Sequence, residues 1–172
     1  GIRVAAQQSP HHGPNDTARR DELDDLLNKL RTPLDYFAND YSIAAAYLRA
    51  AELARGLEKP RHEVSGLYQQ ARRVSRQCGY LPQLVCCAYE HAWTENWWYD
   101  DVSTAIEVYE EMESHLPHLE DASDIEMFAN LQSLMWTAVF RGEHNHDALK
   151  LRDREDSLRE KLQKLSQEQL RP

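Results

Sequence analysis

Lysine and arginine are missing from one continuous stretch of 64 residues, Gln77 to Phe140. Phosphate binding needs basic side chains arrayed along the contact, so this stretch excludes a nucleic-acid grip, and no nucleic-acid partner is expected. Glycine is scarce, with six in 172 residues, and none sits in a phosphate-cradling loop or a nucleophile elbow. Only three cysteines occur, Cys78, Cys86 and Cys87, two of them adjacent. That is neither a disulfide framework nor a Cys-x-x-Cys metal pattern. Reduced, buried thiols are expected, and with them an intracellular and most simply cytoplasmic location. No apolar run approaches the ~20 residues that cross a bilayer, and the first residues have no signal-peptide core. A soluble chain with no membrane partner is expected, and its start at Gly1 suggests a segment of something longer. The eight histidines give a single Glu-x-x-His spacing, Glu143 to His146 in an expected hairpin loop, where a di-iron site needs two on facing helices, and no Ser-His-Asp arrangement can be picked out, so no catalytic residue, metal site or cofactor is expected.

What the basic-free stretch does contain is acid and aromatic rings. It holds twelve carboxylates and all four tryptophans, and so carries more than the whole net charge of −9. The rest of the chain is net positive. Such a block favours an acidic, aromatic docking surface and a basic partner.

Apolar spacing reads as helix throughout, with no two-residue alternation to suggest strands. Residues 1–15 have little apolar content and are expected as a flexible tail, leaving 16–172 as one domain. Asp16 or Thr17 is placed to cap a helix carrying Leu23, Leu26, Leu27 and Leu30. Pro33, preceded by Thr32, is expected to open one long helix to Leu57. Val64, Leu67, Tyr68, Ala71 and Val74 mark the next, and Leu84 to Trp97 forms one that is apolar nearly all round. Asp100 or Asp101 begins a helix that closes at Pro117, Ser123 caps another that ends near Gly142, and a last helix runs from about Asn145–Asp147 through Leu151, Leu158, Leu162 and Leu165.

These helices repeat. Ala51 and Ala92, Val64 and Ala105, and Tyr68 and Tyr109 are each 41 residues apart. A third unit follows less regularly, with Ala92 and Ala138 separated by 46 and Ala105 and Ala148 by 43. Hairpin units are expected at about 33–78, 81–117 and 123–166, because a helical pair cannot bury its apolar face alone and must be covered by its neighbours. The segment Ala105-Ile106-Glu107-Val108-Tyr109-Glu110-Glu111-Met112, closing at Pro117, resembles the second helix of the tetratricopeptide-repeat superfamily, and Leu67-Tyr68-Gln69-Gln70-Ala71 is similar. The resemblance covers about residues 41 to 165, at a period longer than the usual ~34. It implies an all-α fold of antiparallel helical hairpins stacked as a short α-solenoid, a scaffold that binds protein and is not an enzyme.

In such a stack the first helix of each pair lines the concave side. By i, i+3, i+4 spacing the polar stripes there are Ser42, Arg49 and Glu52, then Gln83, Glu90 and Thr94, then Glu126, Asn130, Ser133 and Thr137. Trp97 and Trp98 crowd the end of the second stripe, and two adjacent tryptophans cannot both face the core. The expected partner-binding set is therefore Arg49, Glu52, Glu90, Thr94, Trp97, Trp98, Glu126, Asn130, Ser133 and Thr137, facing a basic peptide or partner subunit. A second possibility is a sensor or self-association module that pairs through the leucines of the last helix. A third draws on Asp21-Glu22-Leu23-Asp24-Asp25 and Asp100-Asp101, which are similar to the magnesium sites of all-helical isoprenoid enzymes. Asp100-Asp101 has no third carboxylate at the needed spacing, however, and helix N-terminal acids need no metal. The clusters Arg72-Arg73-Arg76 and Arg152-Arg154-Arg159-Lys161 are expected to decorate outer faces.

Overall fold

The computed structural model describes residues 14–169, and every regular element among them is helical. The tail expected at 1–15 lies outside the described residues except for Pro14 and Asn15. These two open α1 (Pro14–Lys29), two residues before the expected cap.

The long helix expected from Pro33 to Leu57 is two helices. Pro33 does open one at its first position, but α2 (Pro33–Tyr36) is a single turn, and α3 (Asp40–Gly56) starts afresh after it. Asn39 makes the break. Its extended backbone lets Oδ1 accept from the Ser42 amide at 3.0 Å and from the Ser42 hydroxyl at 3.1 Å, so a local side-chain bond displaces the helical one. Asn39→Ala removes this cap and is expected to lower stability by about 1 kcal/mol, read as a fall in the urea midpoint with unchanged slope.

The chain continues through α4 (Arg61–Cys78), α5 (Leu81–Tyr99), α6 (Val102–Glu113), a 3₁₀ turn at Leu116–His118, α7 (Ala122–Phe140), α8 (His146–Leu149) and α9 (Leu151–Gln169). Gly79 ends α4 in the left-handed region at φ 78°, where its lack of a Cβ removes the usual penalty. Asp101 caps α6 through the Thr104 amide at 2.9 Å, as expected of that pair. Asp121, not Ser123, caps α7, and Ser123 is the donor, at 2.8 Å. The last helix is also broken, at Lys150, where φ is 49°. Leu149 and Leu151 flank the break, and both are buried. On one continuous helix they would point about 200° apart, and the turn between them lets both enter the core.

Each helix packs on its successor in the series α3, α4, α5, α6, α7. In addition, α1 covers α3, α5 touches α7, and α9 lies on α7. α3, α5 and α7 begin 41 residues apart, at Asp40, Leu81 and Ala122. The third unit thus starts in step, and its irregularity comes later. The position 41 residues beyond Tyr109 is Lys150, the turn that breaks the final helix.

Apolar burial falls into two clusters. One joins α1, α3 and α4 through Leu23, Ile43, Leu53, Val64, Tyr68 and Val74. The other joins α5 to α9 through Val85, Ile106, Met112, Phe128, Met135 and Leu158. The repeated tyrosines play matching parts. Tyr68 stacks on His91 and its hydroxyl accepts from Thr94, while Tyr109 meets Phe128 edge-on and its hydroxyl accepts from Gln132 at 2.8 Å. In both repeats a buried tyrosine of the second helix bonds a polar side chain of the following helix. Among the described residues, no helix is long and apolar enough to cross a membrane.

Candidate functional site

The basic-free stretch is not free of cations in space. Arg55 of α3 reaches Glu90 at 3.4 Å, Arg61 of α4 binds both Glu95 and Asp101, Arg72 and Arg76 of α4 hold Glu111, and Arg154 of α9 holds Glu110 and Glu113. Half of the twelve carboxylates are thereby neutralised by arginines that the sequence places elsewhere. The acidic surface expected of the stretch is thereby interrupted, and the expected outward placement of Arg72 and Arg154 is corrected. The Arg72 and Arg154 side chains are only 11% and 14% exposed.

The densest part is a polar seam between α4 and α5. Glu95 is 1% exposed and accepts from Arg61 Nε at 3.0 Å and Nη2 at 2.6 Å, from the Ser65 hydroxyl, and from His91 Nε2 at 3.2 Å. Arg72 Nη1 stands 3.0 Å from His91 Nδ1. A guanidinium has no lone pair to offer, so Nδ1 is the acceptor and the ring carries its proton on Nε2, toward Glu95. Burial pushes the His91 pKa down, with Arg72 acting the same way, so the ring is neutral at pH 7. Burial alone would raise Glu95, but the bonds from His91, Ser65 and Arg61 outweigh it and hold the carboxylate below its ordinary value. The Asp101 pKa is brought down to about 2 by the Thr104 amide and Arg61. These groups are fully occupied with one another, which makes the seam a structural fastening between the two apolar clusters.

Open surface runs from α3 to the start of α5, and from there to the first turn of α7. Two depressions share Tyr80 and Pro82 as a common ridge. The first, of about 370 Å³, runs along Tyr41, Leu48, Arg49, Glu52 and Gln83. The second, of about 670 Å³, runs along His118, Glu120, Asp121 and Asp124. Tyr41 and Tyr80 meet edge-to-face at 5.8 Å, and each is about half exposed. Gln83 donates its Nε2 to the Tyr41 carbonyl at 2.8 Å, which fixes the amide orientation and turns Oε1 away from that carbonyl. Gln83 Oε1 and Asp124 Oδ2 are buried and have no hydrogen-bond partner, and no other side-chain polar atom among the described residues is in that state. Gln83 lines the first depression and Asp124 the second. Glu52, half-buried here, has its pKa raised by burial and then by the charge of Glu90.

The residues expected at the binding surface are brought together only in part. Arg49 and Glu52 lie in the first depression, where Arg49 also reaches Glu22 at 2.7 Å and Glu52 at 3.6 Å. Thr94 does not reach the surface. It is fully buried under α4, accepts from Arg55 at 2.8 Å and donates to Tyr68, because α4 packs on the face that the spacing assigned to solvent. Glu90 is held by Arg55. Trp97 and Trp98 are both about half exposed. Trp97 extends an aromatic ladder from Tyr89 and Trp93 along α5, while Trp98 lies 4.7 Å under the Arg55 guanidinium. Glu126, Asn130, Ser133 and Thr137 are exposed on α7, but the hydroxyls of Ser133 and Thr137 are bonded to the backbone of their own helix. On α9, Leu151, Leu158 and Leu165 are buried inside the fold and Leu162 is partly exposed.

Tyr41, Tyr80, Asp121 and Asp124 were not among the expected residues, and Gln83 was noticed only as a member of a stripe. The one local signal for them is Gly79-Tyr80-Leu81-Pro82, a helix stop followed at once by a proline start, which leaves an aromatic ring on the corner.

No protein-family model, curated protein or solved structure matches this chain.

Proposed function

We propose that the chain is a helical-repeat binding scaffold, a tetratricopeptide-like stack of the hairpins α3–α4, α5–α6 and α7–α9, with no chemistry of its own. It holds an extended, basic segment of another protein along α3 and across the first turns of α5 and α7. The observation that carries this reading is the pair of buried acceptors without partners, Gln83 Oε1 and Asp124 Oδ2, one in each depression beside the Tyr80–Pro82 ridge. A buried acceptor left unbonded costs about 1–3 kcal/mol, and a turn of each side chain that brings its oxygen to an amide or cationic donor of the segment recovers that loss. The exposed rings of Tyr41 and Tyr80 supply rigid apolar contact area of the kind that anchors interfaces. A net charge of −9 favours encounter with a positive partner and makes the association salt-sensitive.

Fluorescence anisotropy with short labelled peptides of graded net charge tests the reading. Affinity is expected to rise with positive charge and to fall as salt is raised. Tyr80→Ser combined with Gln83→Ala should weaken the best binder roughly tenfold while leaving helix content intact. A series with no binder, or a binder indifferent to both substitutions, would reject the site.

A further inference from the structure

We propose that the depression at the start of α7 is a pocket for one cationic side chain of the bound segment, an arginine or a lysine, with its head group on Asp124 and its stem along the Tyr80–Pro82 ridge. This rests on the scaffold reading in taking the cation to belong to a polypeptide.

Asp124 is 6% exposed, and its Oδ2 has no hydrogen-bond partner. Burial, and then the charge of Asp121, raise its pKa, so the unoccupied protein holds this carboxylate at a cost. The arginines that neutralise the basic-free stretch stop short of this corner. They pair with Glu90, Glu95, Asp101, Glu110, Glu111 and Glu113, and the structure records no ion pair to Glu120, Asp121 or Asp124 among the described residues. Lys161 is bonded to the Pro117 carbonyl at 3.0 Å. Asp121 Oδ1 is taken by the Ser123 amide and hydroxyl. The rest of the wall is Tyr80, Leu81, Pro82 and Leu119 beside His118 and the exposed Glu120.

This composition selects among cations. A hard metal ion takes six or more oxygen ligands, and no group of three or more His, Cys, Asp or Glu among the described residues is placed to hold a metal. A long side chain suits the site better, because its methylenes lie on apolar wall while its charge meets the carboxylate. The Tyr80 ring offers the guanidinium or ammonium group an aromatic face as well.

The test uses the whole chain and a labelled hexa-arginine peptide. Asp124→Asn keeps the shape and removes the charge. It is expected to weaken binding roughly tenfold and to raise the unfolding midpoint, since a buried charge without a partner disappears. Glu120→Gln, at the exposed rim, should weaken binding in the same direction by less, and Glu107→Gln, an exposed acid on α6, should leave it unchanged. Wild-type affinity in Asp124→Asn would overturn the pocket, as would an equal loss in Glu107→Gln, which would mean unspecific attraction. If Tyr80→Ser with Gln83→Ala still loses binding while Asp124→Asn does not, the pocket falls and the scaffold stands. If wild type binds neither hexa-arginine nor any peptide of the charge series, both fall. Agmatine and spermidine serve as competitors, and displacement of the peptide by either at equal affinity would overturn the polypeptide source in favour of a free amine.

Discussion

Replacing Glu95 with alanine is expected to destabilise the protein by about 3 kcal/mol, near the lower end of the range for removing one partner of a buried ion pair. The size follows from what is left behind. Glu95 accepts from Arg61, Ser65 and His91, and it is almost wholly shielded from water. Arg61 is half exposed and keeps Asp101, so it rehydrates at small cost. The Ser65 hydroxyl and the His91 Nε2–H are deeper and lose their acceptor, each at about 1–3 kcal/mol. For a chain of this length, about 3 kcal/mol lowers the melting temperature by roughly 6–12 °C. Glu95→Gln should cost less, because its amide oxygen still accepts from Arg61 while its NH2 faces a donor. Circular dichroism during urea unfolding reads both variants. A loss below about 1 kcal/mol for the alanine would mean that the seam behaves as a solvated surface pair.

The same seam explains how far the sequence could be read. Helix content and the 41-residue step were legible because buried apolar positions repeat with the helical period, and the two tyrosines fall at equivalent depths. Helix breaks at Asn39 and Lys150 were not, since each depends on one local choice: a side chain capturing an amide in the first case, and two leucines sharing one core in the second. The pairing of half the acids in the basic-free stretch was missed for a different reason. Charge was counted along the chain, whereas Arg55, Arg61, Arg72 and Arg154 reach Glu90, Glu95, Glu111 and Glu110 from 35, 34, 39 and 44 residues away. Spacing also assigns a residue to a face without saying which neighbour covers that face. Thr94 has the periodicity of a groove residue and is buried under α4, while Asp124, an ordinary helix-start acid by position, carries a buried oxygen without a partner. The open site emerged from the partners that buried acceptors lack, and a single sequence does not record those.

Acid should weaken the protein well above the carboxylate range, and His91 is the reason. Its folded pKa lies below the ordinary 6.5 because burial disfavours the charged ring, Arg72 faces Nδ1, and the opposing bond to Glu95 only partly compensates. Below pH 6.5 the unfolded chain therefore takes up a proton that the folded chain refuses, and stability falls with pH at a slope of up to about 1.4 kcal/mol per unit. Glu95 and Asp101 also have lowered values, but their contribution is complete above about 4.5 and is lost only below that. Glu52, Glu113 and Asp124 have raised values and act in the opposite sense, favouring the fold as they protonate. The histidine is isolated by comparison with His91→Gln, whose Oε1 can accept from Arg72 and whose Nε2 can donate to Glu95 without titrating. The stability difference between wild type and this variant, measured by urea unfolding, should shift in favour of the variant as pH falls from 7 to 5. A difference that stays constant would mean that His91 titrates alike in the folded and unfolded chains, and that burial and Arg72 do not disfavour the charged ring.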